Sequence, residues 1–330
     1  MNDNSYEVIV VGGGHAGVEA AYAATRLGMR VALVTIGIDT IAQMSCNPAI
    51  GGLAKGQIVR EIDALGGIMA LAIDKAGIQF RMLNRSKGPA VWAPRAQADM
   101  QDYQDQIRLL LSKCENLEII EDTVGRLLLS DGRVTGIVCE SGREITAPTV
   151  VLTTGTFLRG IMHTGTKQWH GGRYDEPAAE KLSNSLEKAG LELKRLKTGT
   201  PARVAAESID YSKLQEQRGD EDAVPFSFMN DKIEQEQLSC WITYTNENTH
   251  RIIRDNLERA PLYTGQINST GPRYCPSIET KIIRFADKQR HQVFLEPEGR
   301  RTNWIYCNGV STSLPKDVQE QMLRSIEGLE

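Results

Sequence analysis

A glycine-rich turn between two apolar segments constrains this chain more than any other feature. Residues 8–11 form a short β-branched run, typical of a strand buried on both faces of a parallel sheet. Gly12, Gly14 and Gly17 follow at the spacing G-x-G-x-x-G, and a helix-favouring run leads to a second apolar segment at residues 31–34. In this strand–helix–strand context, the turn predicts a dinucleotide-binding fold in which a helix N-terminus faces a diphosphate.

The residue that would bind the ribose is less clear. An acidic residue usually ends the second strand of this motif, about 20 residues after the glycines. Here that strand runs into Thr35, and the nearest acidic residue, Asp39, lies beyond Gly37. Thr35 is therefore our candidate for a hydrogen bond to a ribose hydroxyl.

The composition is that of an ordinary globular protein. The 330 residues are 41% hydrophobic and 24% charged, and they are enough for two domains. Because the chain has no apolar run of about 18 residues and a polar N-terminus, we expect neither a transmembrane helix nor a signal peptide. The net charge of −4 means that any nucleic-acid surface must be a local basic patch.

The cysteines and histidines predict no metal site. The six cysteines are scattered without a C-x-x-C pair, which indicates neither a disulfide framework nor a zinc site and favours a cytoplasmic protein. His163 and His170 are candidate ligands or acids, but no metal constellation joins them.

Cys46 is a candidate reactive thiol on a loop before an amphipathic helix predicted at residues 53–65. The predicted apolar face of that helix consists of Ile58, Ile62 and Leu65. Lys55 and Arg60 lie close in sequence, and such cations lower the pKa of a thiol and favour its nucleophilic form. The alternative is a buried, unreactive cysteine, since free cysteines are among the most buried residues.

A polar and cationic stretch surrounds the turn Lys87-Gly88-Pro89. Its members are Arg81, Arg85, Lys87, Trp92, Arg95 and Gln97. The stretch is either a solvated loop or a surface that faces phosphate or RNA, because Arg and Lys contact phosphates while an aromatic ring stacks on a base.

The order of the later elements indicates the fold class. A helix at residues 99–114, a strand at 117–120 and a hairpin precede a buried strand at 149–155 that ends in Gly155. This layout resembles the two-dinucleotide flavoproteins, in which the first nucleotide is FAD. We predict an α/β protein: a Rossmann-like FAD-binding domain of this type with an inserted smaller α+β domain.

The domain boundaries are predicted where the composition changes. Residues 197–201 read as a hinge. The FAD-binding domain would therefore comprise residues 1–198, and an inserted NAD or substrate domain would comprise residues 199–275. Residues 276–330 would return to the FAD-binding domain.

Cys275 is a second candidate thiol. It lies between two prolines and beside Arg273, and Ser277 is placed to cap a helix at residues 278–285. A neighbouring cation and a helix N-terminus both favour the thiolate, so Cys275 has the surroundings of a functional cysteine.

Six longer motifs extend along essentially the whole chain. They are G-G-G-H-A-G-V-E-A-A at 12–21, M-S-C-N-P-A-I-G-G at 44–52, S-K-G-P-A-V at 86–91, R-L-K-T-G-T-P at 195–201, G-P-R-Y-C-P-S-I-E at 271–279 and F-L-E-P-E-G at 294–299. Together they resemble the GidA/MnmG family of tRNA uridine 5-carboxymethylaminomethyl modification enzymes. The resemblance implies an enzyme that binds FAD and uses NADH and methylenetetrahydrofolate. With the GTPase MnmE, it would add an aminomethyl-type group to C5 of the wobble uridine of certain tRNAs. It also implies a homodimer.

The resemblance carries expectations for individual residues. Cys46 and Cys275 match the two functionally implicated cysteines of the family. With the candidates Thr35 and Gly155, the expected FAD contacts are Gly12, Gly13, Gly14, His15, Ala16, Gly17, Val124 and Ala179, the last through its backbone at most. The segment that matches the NAD site comprises Gly271, Pro272, Arg273, Tyr274, Cys275, Pro276 and Ser277. From their charge, we expect tRNA contacts at Arg81, Arg85, Lys87, Arg95, Arg195, Lys197 and Arg203.

Thiol chemistry suits this expected reaction. Uracil C5 is a poor nucleophile until a thiolate adds to C6, which creates an enolate that can attack a one-carbon electrophile. A cysteine can also act as the base that later removes the C5 proton. Which of Cys46 and Cys275 takes which role stays open at this point.

Two other functions compete with this one. A folate- and FAD-dependent tRNA uridine-5-methyltransferase shares the fold and the reaction logic, although the loop M-S-C-N-P-A-I-G-G favours the GidA type. A non-catalytic nucleotide- or RNA-binding module would need neither thiol. Because family members continue well beyond residue 330, we expect this chain to be an N-terminal part of such an enzyme, inactive alone.

Overall fold

The computed structural model describes residues 5–269, 271 and 276–330. Within these residues the strands are β1 (Val8–Val11), β2 (Val31–Thr35), β3 (Ala49–Gly51), β4 (Gly77–Leu83), β5 (Ala93–Ala98), β6 (Leu117–Glu121), β7 (Val124–Ser130), β8 (Arg133–Cys139), β9 (Glu144–Thr146), β10 (Thr149–Leu152), β11 (Ile161–Thr164), β12 (Lys167–His170), β13 (Arg203–Ala205), β14 (Gln215–Gln217), β15 (Cys240–Tyr244), β16 (Gln292–Pro297) and β17 (Trp304–Asn308). The α-helices are α1 (His15–Arg26), α2 (Lys55–Ala64), α3 (Met69–Ala76), α4 (Met100–Leu111), α5 (Leu182–Lys188), α6 (Glu247–Arg254), α7 (Ile278–Arg284) and α8 (Lys316–Arg324). None of the helices in the described ranges is long and apolar enough to cross a bilayer.

Four parallel strands form the sheet that carries the glycine-rich turn, in the order β10-β1-β2-β6. Val10 and Leu33 belong to a core with α1, α3 and α4, whereas Ile9 and Val34 belong to a core with the β7-β8-β9 meander. Burial on both faces explains the uninterrupted apolar runs of β1 and β2. β10 is an edge strand, so its residues are half-buried or exposed rather than buried as predicted.

A separate sheet with the order β3-β5-β4 lies between this parallel sheet and the second half of the chain. α4 begins where β5 ends, because the Asp99 carboxylate accepts hydrogen bonds from the backbone N–H groups of Gln101 and Asp102 at 3.1 Å. The same carboxylate accepts from the N–H of Arg300 at 2.7 Å. One N-cap therefore fixes the start of a helix and joins the two halves of the chain.

The second half is built on a five-stranded sheet with the order β13-β17-β16-β15-β14, in which every neighbouring pair is antiparallel. Leu295 and Cys307 lie on the face that packs on α6, α7 and α8. The opposite face carries polar side chains such as Glu296 and Asn308, which meet β5. This antiparallel sheet with its helices is the smaller α+β unit, and the predicted fold class, a Rossmann-like α/β domain with such a second domain, is confirmed.

The proposed boundary at residue 275 does not follow this sheet. β16 and β17 lie between β13 and β15, so residues 276–330 complete the smaller unit instead of returning to the parallel sheet. The reason is strand pairing: Leu295 lies opposite Trp241 and Tyr306 opposite Arg203. We therefore propose a division of the described chain near residue 200, with residues 203–330 forming one unit.

α2 forms where the sequence predicts it, but its predicted buried face is wrong. Ile58 and Leu65 are exposed, and the buried positions are Gly56, Val59 and Asp63. Gly56 lets this side of the helix approach β5 closely. A Cβ there would lie only 2.3 Å from the carbonyl oxygen of Pro94, so no other residue allows this packing.

Candidate functional site

The three glycines of the motif have distinct steric roles. Gly12 has φ +106°, and a Cβ there would lie 2.3 Å from the carbonyl oxygen of Thr153. A Cβ at Gly17 would lie 1.8 Å from the carbonyl oxygen of Gly12, so this glycine lets α1 pack against the turn. At Gly14, by contrast, nothing lies within 4 Å of the Cβ position. The open side of the turn is thus at Gly14, where a diphosphate would approach the backbone.

The N-terminus of α1 is available to a ligand. Gly14 is the N-cap residue, and no side chain caps the helix. Across the carboxyl edge of the sheet, Gly155 has φ +57° and also has open space at its Cβ position. The Thr153 hydroxyl donates to the carbonyl oxygens of Val11 and Gly12 at 2.8 and 3.1 Å, which ties the two loops together. Free N–H groups and the positive end of the helix dipole suit an anionic group here.

His15 and Ala16 open α1 beside this edge. The Nδ1 atom of His15 is buried without a hydrogen-bond partner in the described residues, and its ring meets that of Tyr103 edge-on. Burial lowers the pKa of His15, so the ring is neutral near pH 7. Ala16 is exposed and leaves room beside the first turn.

The ribose candidate Thr35 is nearly buried. Its hydroxyl donates to the carbonyl oxygen of Gly37 at 3.4 Å, and a Cβ at Gly13 would lie 2.8 Å from its oxygen. The Asp39 side chain is fully exposed and 3.4 Å from Arg108. Another carboxylate at this strand end belongs to Glu121, which pairs with Thr35 in the sheet register. Glu121 accepts from the N–H of Ile38 at 2.8 Å, so it offers a second carboxylate at this strand end.

Val124 and Ala179 can offer only backbone atoms. The Val124 side chain is buried in the core beneath the meander. The N–H of Ala179 already donates to Phe157, and its carbonyl oxygen accepts from Arg159, both at 2.9 Å.

The loop that carries Cys46 is attached to the glycine turn. The N–H of Ala42 donates to the carbonyl oxygen of Gly13 at 2.8 Å. Gln104 of α4 then holds the carbonyl oxygen of Ile41 at 3.3 Å. Cys46 follows four residues after Ala42, half-buried, which brings a thiol into the neighbourhood of the predicted dinucleotide site.

Residues from two distant segments, 199–203 and β17, surround Cys46. Its Sγ atom lies 3.4 Å from the carbonyl oxygen of Gly199 and 3.0 Å from the hydroxyl oxygen of Tyr306. Arg203 donates to the Cys46 carbonyl oxygen at 3.2 Å, and its guanidinium lies 4.9 Å from the centre of the Tyr306 ring. A salt bridge of 2.9 Å to Glu298 fixes Arg203 in turn.

The cation near Cys46 differs from the one that the sequence suggests. Arg60 donates to the carbonyl oxygen of Pro225 at 3.0 Å and stacks on Phe228. The guanidinium that contacts the Cys46 loop belongs to Arg203, 157 residues away in sequence. Burial is the main cause that raises the pKa of Tyr306, followed by its proximity to Cys46, so the phenol stays protonated and can donate to the sulfur.

The other predicted thiol, Cys275, lies outside the described residues, as do Pro272, Arg273 and Tyr274. The flanks of this segment are described. A Cβ at Gly271 would lie 3.5 Å from Cδ of Lys197, and Ser277 caps α7 as predicted, accepting from the N–H of Thr280. The N–H of Ile278 donates to the carbonyl oxygen of Ser311 at 2.8 Å.

These flanks adjoin the segment that holds Cys46. A Cβ at Gly199 would lie 2.5 Å from Oγ of Ser311, and the carbonyl oxygen of Gly199 is the one that faces the Cys46 sulfur. Ile278, at one flank of the NAD candidate segment, is thus linked to Cys46 through Ser311 and Gly199. The sequence gives no signal for this, since the contacting segments are far apart in the chain.

The cations predicted to contact tRNA fall into two groups. Arg95 lies 2.7 Å from buried Glu296, and Arg203 lies 2.9 Å from Glu298, so both guanidiniums are engaged inside the molecule. The others lie at or near the surface: Arg81, Arg85, Lys87, Arg195 and Lys197. Of these, Arg85 pairs with Asp220 and Asp222 at 3.2 and 2.9 Å.

The buried pair of Arg95 and Glu296 was not predicted. Asn308 also donates to Oε1 of the Glu296 carboxylate at 3.1 Å. The Oε2 atom of Glu296 has no hydrogen-bond partner in the described part of the chain. Burial raises the pKa of Glu296, and Arg95 opposes that shift. A buried ion pair between β5 and β16 fixes the contact of the two units beside Tyr306.

The parallel sheet, the glycine turn and the open helix N-terminus define a Rossmann-like dinucleotide-binding protein. Residues 7–330 match the model of the family described as glucose inhibited division protein A, and the chain belongs to that family.

The relatives carry a specific name. The chain is 57% identical over 340 residues to the tRNA uridine 5-carboxymethylaminomethyl modification enzyme MnmG of Rhodopirellula baltica, covering 100% of this chain and 52% of that protein. It is 55% identical to the enzyme of the same name from Thermodesulfovibrio yellowstonii, over 99% of this chain and 53% of that protein. The structure of Aquifex aeolicus GidA in crystal form II superimposes with a TM-score of 0.93 at 48% identity, over 100% of this chain and 53% of that one. The chain thus spans about half the length of these relatives.

Proposed function

We propose that the chain forms the cofactor-binding and thiol-bearing part of an FAD-dependent enzyme that modifies C5 of the wobble uridine in tRNA. The observation that carries the proposal is the attachment of the Cys46 loop to the glycine turn through Ala42 and Gly13. A dinucleotide site and a half-buried thiol, joined by a loop that is hydrogen-bonded to the glycine turn, are what this reaction needs.

The residues present fit FAD. The space at Gly14 and Gly155 admits a diphosphate, and the uncapped first turn of α1 supplies N–H donors. Thr35 and Glu121 supply oxygens for a ribose at the end of β2. For NADH we retain the segment 271–277, whose described flanks adjoin Lys197 and Ser311.

The protein's part of the reaction is thiol chemistry. A cysteine thiolate adds to C6 of the uridine, forming a carbon–sulfur bond and moving the ring electrons toward C5, which then attacks a one-carbon electrophile. Removal of the C5 proton by a base returns the electrons to the ring and expels the thiolate. Bound FAD would relay the one-carbon unit from methylenetetrahydrofolate, and NADH would keep the flavin reduced.

The two cysteines divide these tasks, one as nucleophile and one as base. Cys46 has a hydrogen-bond donor at its sulfur and an arginine at its carbonyl oxygen, both suited to a nucleophilic thiolate. We therefore assign the nucleophile to Cys46 and the base to Cys275.

We infer tRNA contacts at Lys87, Arg85, Arg81, Arg195 and Lys197. Arg95 and Arg203 are left out, because their side chains are the less exposed ones and pair with Glu296 and Glu298 inside the molecule. Trp92 is 42% exposed and its indole N–H donates to the carbonyl oxygen of Arg85 at 3.2 Å, and an aromatic ring in that position can stack on an unpaired base.

The complete enzyme would act as a homodimer with the GTPase MnmE in the cytoplasm. This part of the proposal rests on membership in the family and on the substrate, since tRNA modification takes place where tRNA matures. It concerns the whole enzyme rather than the half that this chain spans.

The test is nucleoside mass spectrometry of bulk tRNA from cells that lack the gene encoding this chain. We expect the C5 aminomethyl-type wobble uridines to disappear. The intact gene should restore them, and Cys46→Ala should not, whereas Cys114→Ala, which alters another half-buried cysteine, should restore them fully.

Three results would contradict the proposal. If 5-methyluridine disappears instead, the protein is the folate-dependent methyltransferase. If no nucleoside changes, the protein is not a tRNA-modifying enzyme. If Cys46→Ala restores the modified uridines fully, the thiol has no catalytic role.

A further inference from the structure

Cys46 and Tyr306 form a pair that the family resemblance does not predict. The Cys46 sulfur lies 3.0 Å from the Tyr306 hydroxyl oxygen, within the range of a sulfur hydrogen bond. Tyr306 is 3% exposed, and its ring is enclosed on β17 between the two units of the chain. We propose that Tyr306 is a positioning residue that donates a hydrogen bond to the Cys46 sulfur and holds it, as the thiolate, in the orientation that reacts with substrate.

The direction of this hydrogen bond follows from the partners of each atom. The Cys46 sulfur also lies 3.4 Å from the carbonyl oxygen of Gly199, which can only accept. The S–H group of the neutral thiol therefore points to Gly199, and the Tyr306 hydroxyl donates to the sulfur. When the thiol loses its proton, the bond to Gly199 is lost and the one from Tyr306 becomes stronger.

Arg203 contacts both members of the pair. Its guanidinium lies 4.9 Å from the centre of the Tyr306 ring and donates to the carbonyl oxygen of Cys46. Its salt bridge to Glu298 and its 2.7 Å hydrogen bond to Thr200 prevent it from swinging away. Arg203 therefore places a positive charge beside the Cys46 loop, while the carbonyl oxygen of Gly199 accepts from the thiol.

The pair also joins the two units of the chain. Cys46 belongs to the loop attached to the glycine turn, and Tyr306 belongs to the five-stranded sheet. The reactivity of the thiol therefore depends on the correct seating of β17 against this loop.

The experiment is alkylation of the full-length enzyme by iodoacetamide over a range of pH, with the rate at Cys46 followed by peptide mass spectrometry. In Tyr306→Phe the ring remains and only the donor is lost. We expect the pH of half-maximal rate to rise by about one unit, because one hydrogen bond to the charged form disappears. Tyr244→Phe, which removes a phenol from β15, two strands away from β17 in the same sheet, should leave the profile unchanged.

The folding of each variant is checked by thermal unfolding. If Tyr306→Phe does not fold, Arg203→Met takes its place, and removal of the cation should shift the midpoint in the same direction. An unchanged midpoint in the folded variant overturns the proposal.

This inference rests on the proposed function only for its consequence in catalysis. A shifted alkylation profile, together with full restoration of tRNA modification by Cys46→Ala, would keep the pair and reject the catalytic role of the thiol. An unchanged profile, together with loss of modification in Cys46→Ala, would reject Tyr306 and keep the proposed function.

Discussion

The glycine turn and the surroundings of Cys46 adjoin each other but are encoded in different ways. The turn is local: Gly12, Gly14 and Gly17 lie within one strand–helix connection, and each has a steric reason to be glycine or an open side for a ligand. The thiol is surrounded by Gly199, Arg203 and Tyr306, which come from far along the chain. Short motifs therefore reveal the proposed cofactor site, whereas the environment of the proposed nucleophile depends on the packing of two units.

The largest effect is expected where the two units meet. Arg95→Met would leave the Glu296 carboxylate buried without its cation, and the free energy of unfolding should fall by about 3–5 kcal/mol. Denaturant unfolding measures this loss. The matched control is Arg218→Met, which removes an exposed partner of Glu216 and should change stability by at most about 0.5 kcal/mol. Equal losses in the two variants would show that the buried pair does not hold the units together.

The next largest effect is expected in the glycine turn. In Gly17→Ala the new methyl group would collide with the carbonyl oxygen of Gly12, and we expect a loss of about 3 kcal/mol in the free energy of unfolding. Gly14→Ala has open space and should cost at most about 1 kcal/mol, the effect of alanine at an N-cap.

Dinucleotide binding separates these two glycine variants further. Because we place the diphosphate at Gly14, the folded Gly14→Ala protein should bind FAD more weakly, as measured by flavin fluorescence titration of the full-length enzyme. Unchanged FAD affinity in Gly14→Ala would move the diphosphate away from the turn.

A smaller effect concerns pH. Burial raises the pKa of Glu296, so the folded protein holds this proton more tightly than the unfolded chain, in which the pKa is near 4.5. Wild-type stability should fall as pH rises from that value through the raised pKa, by about 1.4 kcal/mol for each unit of difference. Glu296→Gln lacks this dependence, so its stability relative to wild type should improve with rising pH.

Unfolding curves of both proteins at several pH values test this expectation. A stability difference that changes in the opposite direction would mean that Arg95 outweighs burial at this carboxylate.

The smallest effect on stability is expected at Lys87. Its exposed side chain should be replaceable by glutamine within about 0.5 kcal/mol of unfolding free energy. If Lys87 contacts a tRNA phosphate, Lys87→Gln in the full-length enzyme should reduce the slope of log affinity against log salt by about 0.7–0.9. Lys232→Gln, which alters another exposed lysine that pairs with Glu234, serves as the control. Equal slopes for wild type and Lys87→Gln would exclude this contact.

The sequence predicts the local parts of the fold well. The uninterrupted apolar runs at residues 8–11 and 31–34 predict β1 and β2, and the cap at Ser277 predicts α7. The face of α2 is not predictable in this way, because a glycine at position 56 contributes no hydrophobicity yet permits the closest packing. The predicted boundary at residue 275 does not follow the five-stranded sheet for a related reason, since the pairing of residues 203–205 with 304–306 leaves no trace in the local pattern.

The candidate site shows the same difference between local motifs and long-range contacts. The motifs single out the glycine residues and Cys46. The sequence predicts Arg203 only as a tRNA contact and gives no signal for Tyr306. A tyrosine on a strand reads as an ordinary core residue, and only the pairing of β17 with β13 and β16 brings its hydroxyl to the thiol. Contacts between units follow from the fold and cannot be read from spacing.

The most direct test of the central claim, that a thiol of this chain attacks the wobble uridine, uses tRNA with 5-fluorouridine at the wobble position. Fluorine at C5 blocks the final loss of a proton, so the carbon–sulfur bond formed at C6 should persist and link the RNA to the full-length enzyme. Peptide mass spectrometry would then locate the link. The account predicts a covalent adduct at Cys46 that is absent in Cys46→Ser, whereas no adduct, or one at a buried cysteine such as Cys139, would contradict it.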